Sequence, residues 1–190
     1  MTTALILVDI QNDYFPKGRM ELRNPIEASK EAQKLLTYFR ETNQPVFHIQ
    51  HVSTKPNAAF FLPDTEGVLI HEHVHPLTDE AVIIKHYPNS FRETSLLEQL
   101  KEQNIERLII CGMMTHMCVD ATTRAAFDYG FSCIVIHDAC ATRDLLFKTA
   151  SIPAAYVHST ILASLNGTYA EVLGTDEYML REQNAILSNQ

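Results

Sequence analysis

Apolar positions along this chain fall into two rhythms. Five short runs, ALILVDI (4–10), PVFHIQHV (45–52), AVIIK (81–85), RLIICGM (107–113) and FSCIVIHDA (131–139), are almost continuously hydrophobic and rich in Ile, Val and Leu. Runs of that length without polar alternation suit strands covered on both faces, as in a parallel sheet. Between them, IEASKEAQKLLTYFRET (26–42) and SLLEQLKEQ (95–103) place apolar residues near i, i+3, i+4 and i+7, the period of a helix with one buried stripe. YAEVLG (169–174) and TDEYMLREQ (175–183) read as a last strand and helix. The alternation predicts an α/β fold, a three-layer α/β/α sandwich around a mainly parallel six-stranded sheet, Rossmann-like in layout, in one domain over 1–190. In such a sheet the C-terminal ends of the strands share one edge, where binding sites gather.

Two stretches break the rhythm. Residues 53–80 carry Pro56, Pro63, Gly67 and Pro76, yet also Phe60, Phe61 and Leu62, which predicts a partly ordered lid or interface loop. The stretch LLFKTASIPAAYVHSTILASLNG (145–167) reads as apolar-rich helix, with Ala154, Ala155, Ile161 and Leu165 placed to cover both the sheet and a neighbouring copy.

Composition narrows the classes of function. Hydrophobic residues make 46% of the 190 and charged residues 20%, the balance of a folded globular chain. A formal charge of −8 with no dense Lys/Arg cluster argues against nucleic acid or an anionic membrane as partner. The opening run ALILV meets Asp9 after five apolar residues, too short for a signal peptide or a spanning helix, so a cytoplasmic location is expected. The four cysteines, Cys111, Cys118, Cys133 and Cys140, lack CxxC spacing, which disfavours structural zinc and a disulfide framework. No GxGxxG or GxxxxGK[ST] follows a strand, which removes the common nucleotide-binding modules.

Three strand ends carry candidate chemistry. Cys118 follows RLIICGM in a segment, HMCVDATTRAAFDYG, that reads as a helix capped by Thr115 and closed at Gly130. Near a helix start, the macrodipole and free N–H groups favour thiolate and can hold an oxyanion; the alternative is a small hydrophobe packing the helix onto the sheet. Asp9 ends the first strand, where partial burial would raise its pKa and suit it to take a proton, unless it only caps the following turn. Lys85 ends AVIIK, as an electrostatic partner to the other two or as a snorkelling surface lysine. A cysteine, an acid and an amine converging on one sheet edge make an activated nucleophile.

DIQNDYF, K-HYPNSF with Thr94 after it, and GMMTHMCVDATTRAAFDYGF followed by VIHDACAT together resemble the isochorismatase-like cysteine hydrolase superfamily, which also holds the nicotinamidases. The resemblance spans nearly the whole chain and implies catalytic roles for Asp9, Lys85 and Cys118. It also implies a cis peptide joining Met113 to Met114 and an oxyanion hole from the backbone N–H groups of Met114 and Cys118. Gln11 and Asp13 would orient the substrate pocket, with Phe15, Phe60, Tyr87 and Phe91 as wall candidates. The implied activity is hydrolysis of a C–N bond in a small amide, lactam or ureido compound through a thioester. Isochorismatase-type or nicotinamidase activity is the alternative, and a cysteine-based redox sensor or scaffold is the alternative of another class.

Nicotinamidases carry an Asp-x-His and a further His for a metal after the second strand, whereas this chain reads FHIQHVSTKPN. His48 and His51 stand three apart on a strand and so point to opposite faces, a poor chelate. The second histidine group, HEHVH (71–75), sits in a polar loop. No metal and no cofactor are therefore expected. The partners expected are a small-molecule substrate and, on family grounds, a second copy of the chain, as dimer or tetramer.

Overall fold

The computed structural model describes residues 1–188. Its strands are β1 (Thr3–Val8), β2 (Val46–His51), β3 (Ala81–Lys85), β4 (Arg107–Met113), β5 (Ser132–Ala141), β6 (Leu145–Phe147), β7 (Ala150–Ile152) and β8 (Glu171–Leu173). Six of them form one sheet in the order β3-β2-β1-β4-β5-β8, with every pairing parallel. The helices are α1 (Pro25–Glu41), α2 (Leu96–Glu102), α3 (Asp120–Asp128), α4 (Ala154–Leu165) and α5 (Thr175–Ser188). Helices α1 and α5 pack together over one face of the sheet, and α3 and α4 pack together over the other.

Burial explains the apolar runs strand by strand. All six residues of β1 are buried, because β1 is central and covered on both faces. β3 reads equally apolar but lies at the sheet edge, and its Val82 and Ile84 are exposed. On α1, Pro25 takes the first turn, where a missing N–H costs nothing, and Ala28, Ala32, Leu35, Leu36 and Phe39 form the buried stripe. Each large side chain of that stripe contributes about 1.5–3 kcal/mol by leaving water.

Helix α3 ends as its sequence implies. Gly130 takes a positive φ of 92°, its N–H bonds Phe127 O, and the Phe131 N–H bonds Ala126 O, a Schellman closure. Its start departs from expectation. Thr115 does not cap a helix; it begins a π-helical turn, Thr115–Val119, and its hydroxyl donates to Ala141 O and meets His158 Nδ1. Burial under β5 and α4 gives that hydroxyl tertiary partners in place of the local N–H groups.

The stretch 145–167 also departs from a single helix. Lys148, at φ 55°, turns β6 back onto β7 as an antiparallel hairpin, and only from Ala154 does the helix run. Ala154 and Leu165 are buried, Ala155 faces solvent, and Leu146 and Phe147 stand exposed on the hairpin. Among the described residues no helix is long and apolar enough to cross a membrane.

Candidate active site

The strand order reverses between β1 and β4. In an open α/β sheet that switch opens a crevice beyond the strand C-termini. Asp9 follows β1, Lys85 closes β3, and Cys118 lies in the π-helical turn after β4. Asp9 sits in the left-handed region at φ 49°, a conformation aspartate tolerates better than most residues. Gly112 makes the approach of β4 to β1 possible, since a Cβ there would fall 2.0 Å from Val8 O. The ladder between β4 and β5 slips between Ile110 and Gly112, and the Met113-Met114 peptide that follows is cis.

Lys85 Nζ lies 2.7 Å from Asp9 Oδ2, with both side chains fully buried. Neighbouring strands stand about 4.8 Å apart, so β3 and β1 are roughly twice that distance from one another with β2 between them. The lysine side chain must reach across the end of β2, where its ladder partner His51 stands. There Nζ donates to His51 Nδ1 at 3.0 Å and to Tyr87 O at 3.0 Å. His51 and Tyr87 thus take two protons of the ammonium, and its remaining side faces the Asp9 carboxylate and the Cys118 sulfur. His51 Nδ1 accepts, so the ring proton sits on Nε2. Burial and the adjacent Lys85 charge depress the His51 pKa to about 3, which keeps the ring neutral.

Gln11 holds that histidine from behind. Its Nε2 donates to His51 O and Val68 O, and its Oε1 accepts from the His51 N–H. Asp13, also buried, accepts from the Phe61 N–H at 2.6 Å and the Arg19 N–H at 3.2 Å. Gly67 passes so close to Asp13 that a Cβ would fall 2.1 Å from its carboxylate. Both residues therefore fasten the 53–80 segment over the site and do not line the cavity.

That segment roofs a cavity of about 360 Å³ with Cys118 in its wall. Tyr14, Phe60, Phe61, Tyr87, Met114 and Met117 supply its apolar surface. His51, Ser53, Lys55 and His86 supply the polar groups. Of the four aromatic wall candidates, Phe60 and Tyr87 border this cavity, whereas Phe15 and Phe91 lie away from it. Phe15 stacks on His71 at 3.6 Å, and Phe91 packs against Tyr129 and Phe131. Tyr14, His51, Lys55 and Phe61 were not singled out as wall residues. Pairing of His51 with Lys85 could have been inferred for adjacent parallel strands ending in step, but the loop contacts had no local signal.

Asp9, His51 and Cys118 each bring one ligand atom within 4.8 Å of the others, a grouping that resembles a metal site. The Lys85 ammonium already occupies hydrogen-bonding distance from two of them. A divalent ion would face that fixed positive charge at contact, so these residues do not fit a metal. His48 takes no part, since its Nε2 lies 2.8 Å from Glu80 Oε2 on the other face of β2.

Electrostatics within the cluster set the resting protonation. Burial raises the Asp9 pKa, with Lys85 opposing. Burial would lower Lys85, but the adjacent negative groups more than compensate and its pKa is raised. Burial and the Asp9 charge push the Cys118 thiol up, against Lys85. The direction is opposite to the one expected near a helix start: burial and the neighbouring acid favour the thiol over the thiolate. The Asp9 carboxylate has Lys85 as its ion-pair partner and faces the Cys118 thiol, which places an acceptor beside the S–H.

Fold and site together define a three-layer α/β protein with an acid, an amine and a thiol at its topological switch. The family model of the isochorismatase domain matches residues 3–176, and the chain belongs to the isochorismatase family of hydrolases. The isochorismatase family protein YddQ of Bacillus subtilis strain 168 is 52% identical over 179 residues, 94% of this chain and 99% of that one. A streptothricin hydrolase of Streptomyces noursei is 31% identical over 92% of this chain, which spans 60% of it. A crystal structure of an isochorismatase from Pseudomonas putida KT2440 superposes with a TM-score of 0.86 at 36% identity, covering 92% of this chain and 88% of that one.

Proposed function

We propose that the protein is a cysteine hydrolase that cleaves a C–N bond of a small amide, lactam or ureido compound. The observation that carries this reading is the buried Asp9–Lys85 ion pair with the Cys118 sulfur beside the carboxylate, at the wall of a ligand-sized cavity. Asp9 takes the thiol proton as sulfur bonds to the acyl carbon, and the carbonyl electron pair moves onto oxygen. The backbone N–H groups of Met114 and Cys118 hold that oxyanion. Collapse breaks the C–N bond, and Asp9 returns its proton to the departing nitrogen. Water then attacks the thioester, and the thiol regains its proton as the acid leaves. Lys85 stays an ammonium throughout, because it is the counter-charge that lets Asp9 remain ionised while buried.

The streptothricin hydrolase among its relatives supports a hydrolytic reading, and the poor fit to a metal weighs against a nicotinamidase that relies on one. Mass spectrometry of the protein mixed with an amide panel, nicotinamide and isochorismate tests it. The expected result is an acyl adduct on Cys118 with substrate turnover that disappears in Cys118→Ala. Peroxide-dependent oxidation of Cys118 with no adduct from any compound would instead favour a redox sensor.

A further inference from the structure

Charge around the cavity runs opposite to charge over the whole chain. The protein carries 23 acidic against 15 basic residues, yet among the described residues no acidic side chain lines the cavity. Asp9, just beyond the wall, is neutralised by Lys85 at 2.7 Å. Lys55 is then the uncompensated charge: it lines the cavity and forms no ion pair among the described residues. One of the imidazoles in the wall is fixed as a donor. His51 has its proton on Nε2, because Nδ1 accepts from Lys85. His86 Nδ1 donates to Val52 O at 2.7 Å, which ties the strand exit that leads to Lys55 against the cavity wall. The remaining wall is apolar and aromatic, with Phe60 and Phe61 packed edge to face at 4.9 Å and Tyr14 against Phe61 at 4.7 Å.

We infer that the cavity selects anionic substrates, small planar acyl compounds that carry a carboxylate, and that Lys55 is the residue that reads the charge. This rests on the hydrolase reading of Cys118 and adds to it the class of compound. Lys55 is solvent-exposed where it borders the cleft, and the low-dielectric walls beside it concentrate its field toward the opening, so an entering anion is attracted. The aromatic surfaces accept a planar body without specific bonds, while the carboxylate fixes its orientation toward the sulfur.

Alkylation of Cys118 tests the charge selection without knowledge of the natural substrate. Iodoacetate and iodoacetamide have nearly the same size and differ in charge, and their rates at Cys118 are followed by mass spectrometry against 2-mercaptoethanol in the same buffer. The iodoacetate-to-iodoacetamide rate ratio is expected to exceed that of the free thiol by about tenfold, the effect of one charge several ångströms away in a partly wet site. It should fall toward the free-thiol value in Lys55→Gln and at roughly 0.5 M salt, and persist in Lys55→Arg. In a second readout, benzoate should protect Cys118 from iodoacetamide at several-fold lower concentration than acetate, which lacks the ring, or benzyl alcohol, which lacks the charge. A ratio equal to that of the free thiol, or one indifferent to the charge at position 55, would overturn the selection of anions. Equal protection by the three compounds would overturn the planar-anion class. No labelling of Cys118 by either reagent is a separate outcome: it would remove the reactive sulfur and with it the hydrolase reading beneath.

Discussion

Two clusters on neighbouring strands use the same parts, an acid, a base and a histidine, to opposite ends. At the N-terminal side of β3, Glu80 accepts from Arg40 Nε at 2.6 Å, Arg40 Nη2 at 2.7 Å, the Leu77 N–H at 2.8 Å and, across 2.8 Å, meets His48. Burial alone would raise its pKa, but these partners bring it down to about 2. At the C-terminal end of the same strand, Asp9 has a single cation, Lys85, and the Cys118 thiol as its side-chain partners, and burial raises its pKa. A carboxylate with both oxygens occupied is a clamp. One that faces a thiol with a single cation beside it is a base in waiting, and the difference lies in the number and kind of donors around each acid.

Breaking the Asp9 cluster should have the largest effect. Cys118→Ala is expected to lower turnover by at least about 10⁴-fold with little change in thermal stability, since a small buried thiol is replaced by a methyl of similar size. Asp9→Asn should cost about 10³-fold in kcat/KM and, by leaving the Lys85 charge buried without its partner, destabilise the fold by about 3–5 kcal/mol in denaturant unfolding. Were the acid only structural, Asp9→Asn would lower the stability while leaving the kcat of the surviving folded fraction intact.

His51 gives the next effect. Removing its acceptor in His51→Leu is expected to lower kcat by about 10- to 100-fold as the ammonium loses one of the groups that orient it. His51→Asn, whose amide oxygen can stand near the Nδ1 position, should recover most of the loss. Equal rates in the two variants would show that the ring acts by packing alone.

The acid limb of the pH–rate profile sharpens the contrast further. A raised pKa means Asp9 is already protonated at pH values where an ordinary aspartate is ionised. The limb of kcat/KM assigned to the base should therefore lie above pH 3.8. Glu80 predicts the reverse sign for stability. Its folded pKa of about 2 lies below the ordinary glutamate value of 4.5, so its contribution is complete above about pH 4.5 and lost as pH falls toward about 2. Glu80→Gln should flatten the stability profile in that window and cost about 1–3 kcal/mol, with kcat changed by less than about threefold. A large loss of kcat would mean that the two clusters are coupled along β3.

Much of this was legible along the chain, and the failures have physical reasons. ALILV and RLIICGM are apolar without interruption because β1 and β4 are covered on both faces, and that alone announces a parallel sheet. AVIIK carries the same signature, yet its position at the sheet edge leaves every second residue in solvent. Gly130 marks a helix end because a positive φ there is a local need. Thr115 misled as a cap because its hydroxyl found partners 26 and 43 residues away. Phe15 and Phe91 are apolar in sequence like Phe60, but only packing decides which aromatic faces a cavity and which faces the core.

What the sequence determined by itself is therefore the periodicity, the strand ends and the residue types placed at them, since these depend on backbone geometry within a few residues. Only the tertiary structure decided that Lys85 crosses β2 to reach Asp9, that His51 accepts from it, and that the Cys118 thiol is held protonated by burial. Hydrogen-bond partners and desolvation are set by neighbours distant along the chain, and a pKa answers to those neighbours and not to the residue's own segment.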